Sequence, residues 1–239
     1  MRVSSVLLER EGPIAWLRLN RPHAHNAVDG EMTALLAEHV RELSGERSAR
    51  AVILCGNGPS FCTGVDVKEL ARGELDAERF LAWHRMARRL GELEIPLIVA
   101  VHGHCLGGGV MLTLCGDYRL AAEDLRIGLG ALRHGILPGS APALLPAIVG
   151  SAAARRLCLF GEYVDADEAL RVGLVDRVVP AGELEGAARG LAERVSGFSA
   201  IALRECKALL AGAGEMAGDE YELAYRDAQQ RCLDGRDRA

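Results

Sequence analysis

The stretch from Pro96 to Asp117, PLIVAVHGHCLGGGVMLTLCGD, constrains this chain more than any other. Leu97 to Val101 is a short apolar run between Pro96 and Gly103, the pattern of a strand covered on both faces. Gly107, Gly108 and Gly109 then open the apolar helix VMLTLC. Glycines at a helix start leave backbone N–H groups free and unguarded by side chains. Such amides favour negative charge, so the turn is expected to supply half of an oxyanion hole.

A second strand-to-loop transition has the same design. Ala51 to Cys55 reads as a buried strand and runs through GNGPS into Phe61-Cys62-Thr63-Gly64-Val65-Asp66. If the two strands are neighbours, the N–H groups of Val65 and Gly108 converge on one oxygen. Around this pair, Val3 to Arg10 and Ile14 to Leu19 read as a hairpin about Glu11-Gly12. Helices are expected over roughly Glu31 to Leu43, capped by Asp29, and Ala77 to Leu93, with Phe80, Met86, Ala87 and Leu90 inward. Tyr118 to Ala121, Arg126 to Gly128 and Val175 to Val179 read as further strands. Asp165 caps a short helix that Gly173 stops, and the rest is helical from Leu184 onward. Strands alternate with helices early and helices accumulate late, which predicts one α/β domain with a helical C-terminal portion.

Composition narrows the function. A net charge of −5 with scattered Lys and Arg leaves no footprint for nucleic acid. The sequence reading finds no apolar run suited to a membrane span and no leader-like N-terminus, so a cytoplasmic location is expected. The 7 cysteines lack metal spacing and mostly sit in apolar contexts, which suits a reducing compartment. No GxGxxG, P-loop lysine or GxSxG elbow is present.

Taken together, LNRPHAHNAV, AVILCGNGPSFCTGVDVKEL, IPLIVAVHGHCLGGGVMLTLCGDYRLAAE, GILPG and GEYVDADEALRVGLVDRVVP resemble the enoyl-CoA hydratase/isomerase, or crotonase, superfamily, in that family's order. The resemblance implies a crotonase-like spiral of ββα repeats, with residues 1–195 as the core. Residues 196–239 would be a helical trimerisation region of the same domain, in a homotrimer or hexamer. It implies an acyl-CoA or acyl-carrier thioester as substrate, with coenzyme A as part of that substrate and no separate cofactor. It assigns the oxyanion amides to Val65 and Gly108. It places CoA near His23, Ala24 and His25, and near Asp66, Val67 and Lys68; Met111, Ala131 and His134 fall at the reacting end.

The departures from the family pattern carry as much information. Hydratases of this family use two glutamates, which move protons to and from water and the α-carbon. The first position holds Met111, and the second, in GLGA where the family has G-Q-P-E, holds Ala131. Neither side chain titrates, so hydration by that route is not expected. His84, in AWHRM, resembles the water-activating histidine of the W-H-x-M segment in 4-chlorobenzoyl-CoA dehalogenases. The nucleophilic aspartate of those enzymes falls on Gly139 here. An imidazole serves as acid or base near neutral pH, which makes His84 the expected proton carrier. Asp66 is expected to cap a helix and Asp117 to fix a turn.

Overall fold

The computed structural model describes residues 4–212, 214 and 216–235. Strands β1 (Val6–Glu11) and β2 (Ile14–Leu19) form an antiparallel hairpin, with Val6 opposite Leu19 and Glu11 opposite Ile14. Helix α1 (Gly30–Gly45) follows, and its N-cap Asp29 accepts a 2.8 Å hydrogen bond from the Met32 N–H. Next come β3 (Ala51–Gly56), α2 (Val67–Ala71) and α3 (Ala77–Gly91), and then β4 (Leu97–Val101), β5 (His104–Leu106) and α4 (Gly108–Leu114). The third group is β6 (Tyr118–Ala122), β7 (Arg126–Gly128) and α5 (Ala141–Phe160). Strand β8 (Tyr163–Asp165), α6 (Ala166–Arg171), β9 (Arg177–Val179) and helices α7 (Leu184–Ser196), α8 (Ala200–Gly212) and α9 (Gly218–Asp234) complete the chain.

Two sheets result. One is ordered β1-β2-β3-β4-β6-β9 and is parallel from β2 onward; the other is β5-β7-β8. In the middle of the chain a long strand passes into a short one before the next helix, so β4 leads to β5 and β6 leads to β7. In β3, Val52 and Leu54 join the core under α1 and α3, while Ala51, Ile53 and Cys55 face α7. Burial on both faces is why these strands read as unbroken apolar runs.

Several details differ from the sequence reading, which also did not anticipate the short strands β5 and β8. Strand β1 begins at Val6, and residues 1–3 lie outside the described residues. The last strand begins at Arg177, because Val175 is buried in the turn before it. On α3 the buried residues are Trp83, Met86, Ala87 and Leu90, whereas Phe80 is only partly buried. Helix α5 is long and apolar enough, at 20 residues and mean hydropathy 1.5, to meet the length and composition of a membrane span. Its backbone breaks at Gly150, with φ 76° and ψ 159°, and Pro146 lies within it, so it is not one continuous helix.

The C-terminal helices are tied to the core by polar contacts. Lys207 Nζ on α8 lies 2.6 Å from Asp117 Oδ2, and Arg231 on α9 pairs with Glu205 on α8 at 2.7 Å. Leu210, Tyr221, Leu223, Tyr225 and Leu233 remain exposed on these two helices.

Candidate functional site

The two glycine-bearing turns meet because β3 and β4 are parallel neighbours, with Val52 opposite Leu97 and Leu54 opposite Val99. Beyond the strand ends, Cys62 pairs with Cys105, and the Leu106 N–H donates to the Cys62 carbonyl at 2.8 Å. Gly64 then lies against the glycine triplet. A Cβ on Gly64, whose φ is +83°, would sit 2.9 Å from both the Gly108 nitrogen and the Leu106 oxygen. Only glycine permits that approach and that backbone angle.

The triplet divides its work. The Gly107 N–H donates to the Gly128 carbonyl at 3.1 Å, and its carbonyl accepts from Met111 at 3.3 Å, starting α4. Gly109 packs on Cys62, whose carbonyl oxygen would be 2.4 Å from an added Cβ. Gly108 keeps its N–H free. Val65 does too, because its bridge to Val28 uses the Gly64 carbonyl and the Asp66 N–H instead. Among the described residues, neither of these N–H groups has a protein acceptor.

Both amides line a cleft of about 870 Å³ whose walls are mostly apolar. Val67, Met111, Ala131, His134 and His84 line it too, with Phe80, Trp83 and Tyr163. The Met111 side chain occupies the space beside Gly139, where an added Cβ would lie 2.1 Å from its Sδ. Trp83 backs the glycine turn, its Nε1 3.3 Å from where a Gly108 Cβ would be. That buried N–H has no hydrogen-bond partner. Cys62, also behind the turn, is no nucleophile: burial pushes its thiol up to about 12, with the Gly64 N–H only partly opposing.

The rim is built from the other two expected segments. The Thr63 N–H donates to the His25 carbonyl at 3.2 Å and the Val28 N–H to the Gly64 carbonyl at 2.7 Å. This pairing sets His25 beside Thr63 and Val28 beside Val65. His23, Ala24, His25, Asp66 and Lys68 do not line the cleft wall itself. Asp66 caps α2, accepting from the Lys68 N–H at 3.0 Å, and lies 3.4 Å from Arg21. His25 Nδ1 meets Ser60 Oγ at 3.0 Å. Asp117 accepts from the Leu97 N–H at 2.7 Å and fixes the turn after α4.

Of the acidic residues lining the cleft, both are engaged. Asp29 caps α1 and pairs with Arg21 at 3.2 Å, and Glu69 pairs with Arg79 at 3.2 Å. His84 on α3, half-buried, and His134, exposed on the turn Ala131–His134, have no such partner among the described residues. The sequence reading passed over Trp83 and Tyr163. Trp83 was legible from its spacing to Ala87 and Leu90 on one helix face. Tyr163 had only an indirect signal, two glycines at alternate positions, Gly128 and Gly130, on the strand segment it crosses. Among the described residues, no group of three or more His, Cys, Asp or Glu side chains forms a metal site.

Comparison with known proteins agrees with this architecture. Residues 9–235 match the family described as enoyl-CoA hydratase/isomerase. The short-chain-enoyl-CoA hydratase of Clostridium acetobutylicum is 34% identical over 211 residues, covering 87% of this chain and 81% of that protein. The cyclohexa-1,5-dienecarbonyl-CoA hydratase of Thauera aromatica is 36% identical over 200 residues, 83% of this chain and 76% of that protein. The crystal structure of an enoyl-CoA hydratase from Bacillus anthracis superposes with a TM-score of 0.92 at 28% identity, covering 98% of this chain and 93% of that one.

Proposed function

Because this chain belongs to the enoyl-CoA hydratase/isomerase family, we propose that it binds an acyl-CoA or acyl-carrier thioester and stabilises its enolate with the Val65 and Gly108 amides, without acting as a two-glutamate hydratase. The observation that carries this is the pair of unpartnered N–H groups, 65 and 108, on the wall of a cleft that Met111 and Ala131 also line. Two fixed donors aimed at a developing oxyanion are worth roughly 2.7–4 kcal/mol each in comparable sites. Their effect is largest in an apolar cleft, where little water competes.

A site with this hole and no carboxylate at residues 111 and 131 suits reactions that form the enolate without a base. Decarboxylation of a malonyl-type thioester is such a reaction: loss of CO2 leaves the enolate directly, and one acid finishes it. His84 is a candidate for that acid because it lines the cleft unpaired. The rim formed by residues 23–25 and 65–68 is the proposed seat of the CoA moiety, with Lys68 offering charge to a phosphate. The exposed apolar residues of α8 and α9 support a trimer or hexamer built through residues 196–239. Seven free thiols suit a reducing, cytoplasmic setting.

The test uses deuterated water. The protein is incubated with a panel of acyl-CoAs, α-proton exchange is followed by NMR, and CO2 release is followed from malonyl-type thioesters. Exchange or CO2 release is expected, and crotonyl-CoA hydration is not. Thioester binding with neither activity would make the chain a binder or partner subunit. Hydration at ~1 per second or faster would refute the carboxylate argument.

A further inference from the structure

We propose that the Tyr163 hydroxyl, rather than His84, is the proton donor to the enolate α-carbon, in the region where Ala131 carries no acid; this rests on the enolate reading above. Three strands place it. In the β5-β7-β8 sheet, Leu106 is opposite Gly128, and Gly128 is opposite Tyr163. Tyr163 thus sits two strands from the residue before the glycine triplet, roughly 10 Å at ordinary strand spacing. Strand β7 fills that interval, and the tyrosine side chain lies back over it along the cleft wall.

The ring has a track built for it. Gly128 and Gly130 alternate along the neighbouring segment. A Cβ on Gly128 would lie 2.4 Å from Tyr163 Cδ1, and one on Gly130 would lie 2.4 Å from the hydroxyl oxygen. Two missing side chains therefore let the ring lie flat and set its oxygen over Gly130, beside Ala131. The Arg133 guanidinium lies over the ring, 5.2 Å from its centroid, an attraction that strengthens as the ring gains negative charge. The hydroxyl has no hydrogen-bond partner among the described residues.

The chemistry balances. Breaking the bond from the α-carbon to the carboxylate releases CO2 and leaves the electron pair as the enolate, its oxygen held by the amides of Val65 and Gly108. The Tyr163 O–H bond then breaks, a C–H bond forms at the α-carbon, and a phenolate remains beneath Arg133. Water reprotonates the phenolate, and the hydroxide formed combines with CO2 as bicarbonate.

The test compares Tyr163→Phe, Gly130→Ala, the double variant and His84→Ala, reading CO2 release from malonyl-CoA, deuterium incorporation and melting temperature. Tyr163→Phe is expected to lower kcat about 100-fold, within the range for a general acid, with KM and melting temperature unchanged. Gly130→Ala keeps the hydroxyl but displaces it, so it is expected to lower kcat similarly. Gly130 has φ −92°, which alanine adopts freely. In the Tyr163→Phe background Gly130→Ala is expected to cost nothing further, because the nearest remaining ring atom is 3.5 Å from the added Cβ. Near-normal turnover by Tyr163→Phe, equal losses from Gly130→Ala in both backgrounds, or a loss confined to His84→Ala would each overturn the assignment. A wild-type protein that binds thioesters but neither releases CO2 nor exchanges α-protons would overturn both this assignment and the enolate reading.

Discussion

Replacing Gly64 with alanine tests the proposed oxyanion hole from behind, because the atoms nearest the new Cβ are all backbone. The substitution has two separable effects. Gly64 sits at φ +83°, where an L-residue is disfavoured by roughly 1–2 kcal/mol. For a chain of this size that corresponds to a fall in melting temperature of about 2–8 °C. The new Cβ would also lie 2.9 Å from the Gly108 nitrogen and from the Leu106 oxygen. Both are backbone atoms, so the two turns must separate by several tenths of an ångström. That moves Gly108 away from Val65, and losing one such donor costs about 10²–10³-fold in kcat. The control is Gly12→Ala: φ is +55°, and nothing lies within 4 Å of its added Cβ. It is expected to lose similar stability and no activity. The assay is CO2 release or α-proton exchange at a temperature where all variants are folded, paired with the carbonyl stretch of a bound 13C-labelled thioester. Gly64→Ala should abolish the red shift of that band. Turnover within threefold of wild type, with the band still red-shifted as in wild type, would refute the converging-amide geometry.

Other expectations are independent of that one. Met111→Glu alone is expected to destabilise the protein, since it places a carboxyl at a site only 4% exposed beside Gly139, and to yield no hydration. The double variant Met111→Glu/Ala131→Glu supplies both carboxylates and is expected to raise crotonyl-CoA hydration about 100-fold over wild type. Glu168 is held at about 2, below its ordinary 4.5, first by the Arg171 hydrogen bond and then by that of Arg156. A depressed carboxylate stabilises the fold above its unfolded value and loses that contribution as pH falls through the folded value. The melting-temperature difference between wild type and Glu168→Gln should therefore hold above about 4.5 and vanish toward pH 2. Cys206 is the exposed thiol, while burial pushes Cys55, Cys62 and Cys115 up to about 12. A disulfide-exchange reagent should label Cys206 fastest in the native protein, and rapid labelling of Cys62 would contradict its place behind the turn.

Much of the fold was legible locally. The buried strands announced themselves as apolar runs, and Asp29, Asp66 and Asp165 cap the helices expected of them. Their signals are short-range: a side chain and an N–H two or three residues on. The reading failed where a distant element decides. Phe80 and Trp83 lie one turn apart on α3 and both line the cleft, but only the tertiary packing leaves Phe80 partly exposed and buries Trp83 behind Gly108.

By itself, then, the sequence determined the strand order of chemistry: two glycine-bearing turns after two buried strands, and no carboxylate at residues 111 and 131. These are properties of residue type and spacing. Tertiary structure decided which groups face each other. Parallel pairing of β3 with β4 sets Gly64 against Gly108, and the register of β5-β7-β8 carries Tyr163 over Gly130. Register is a relation between strands far apart in the chain, so no local pattern states it. A shift of one residue would turn Tyr163 to the opposite face of its sheet.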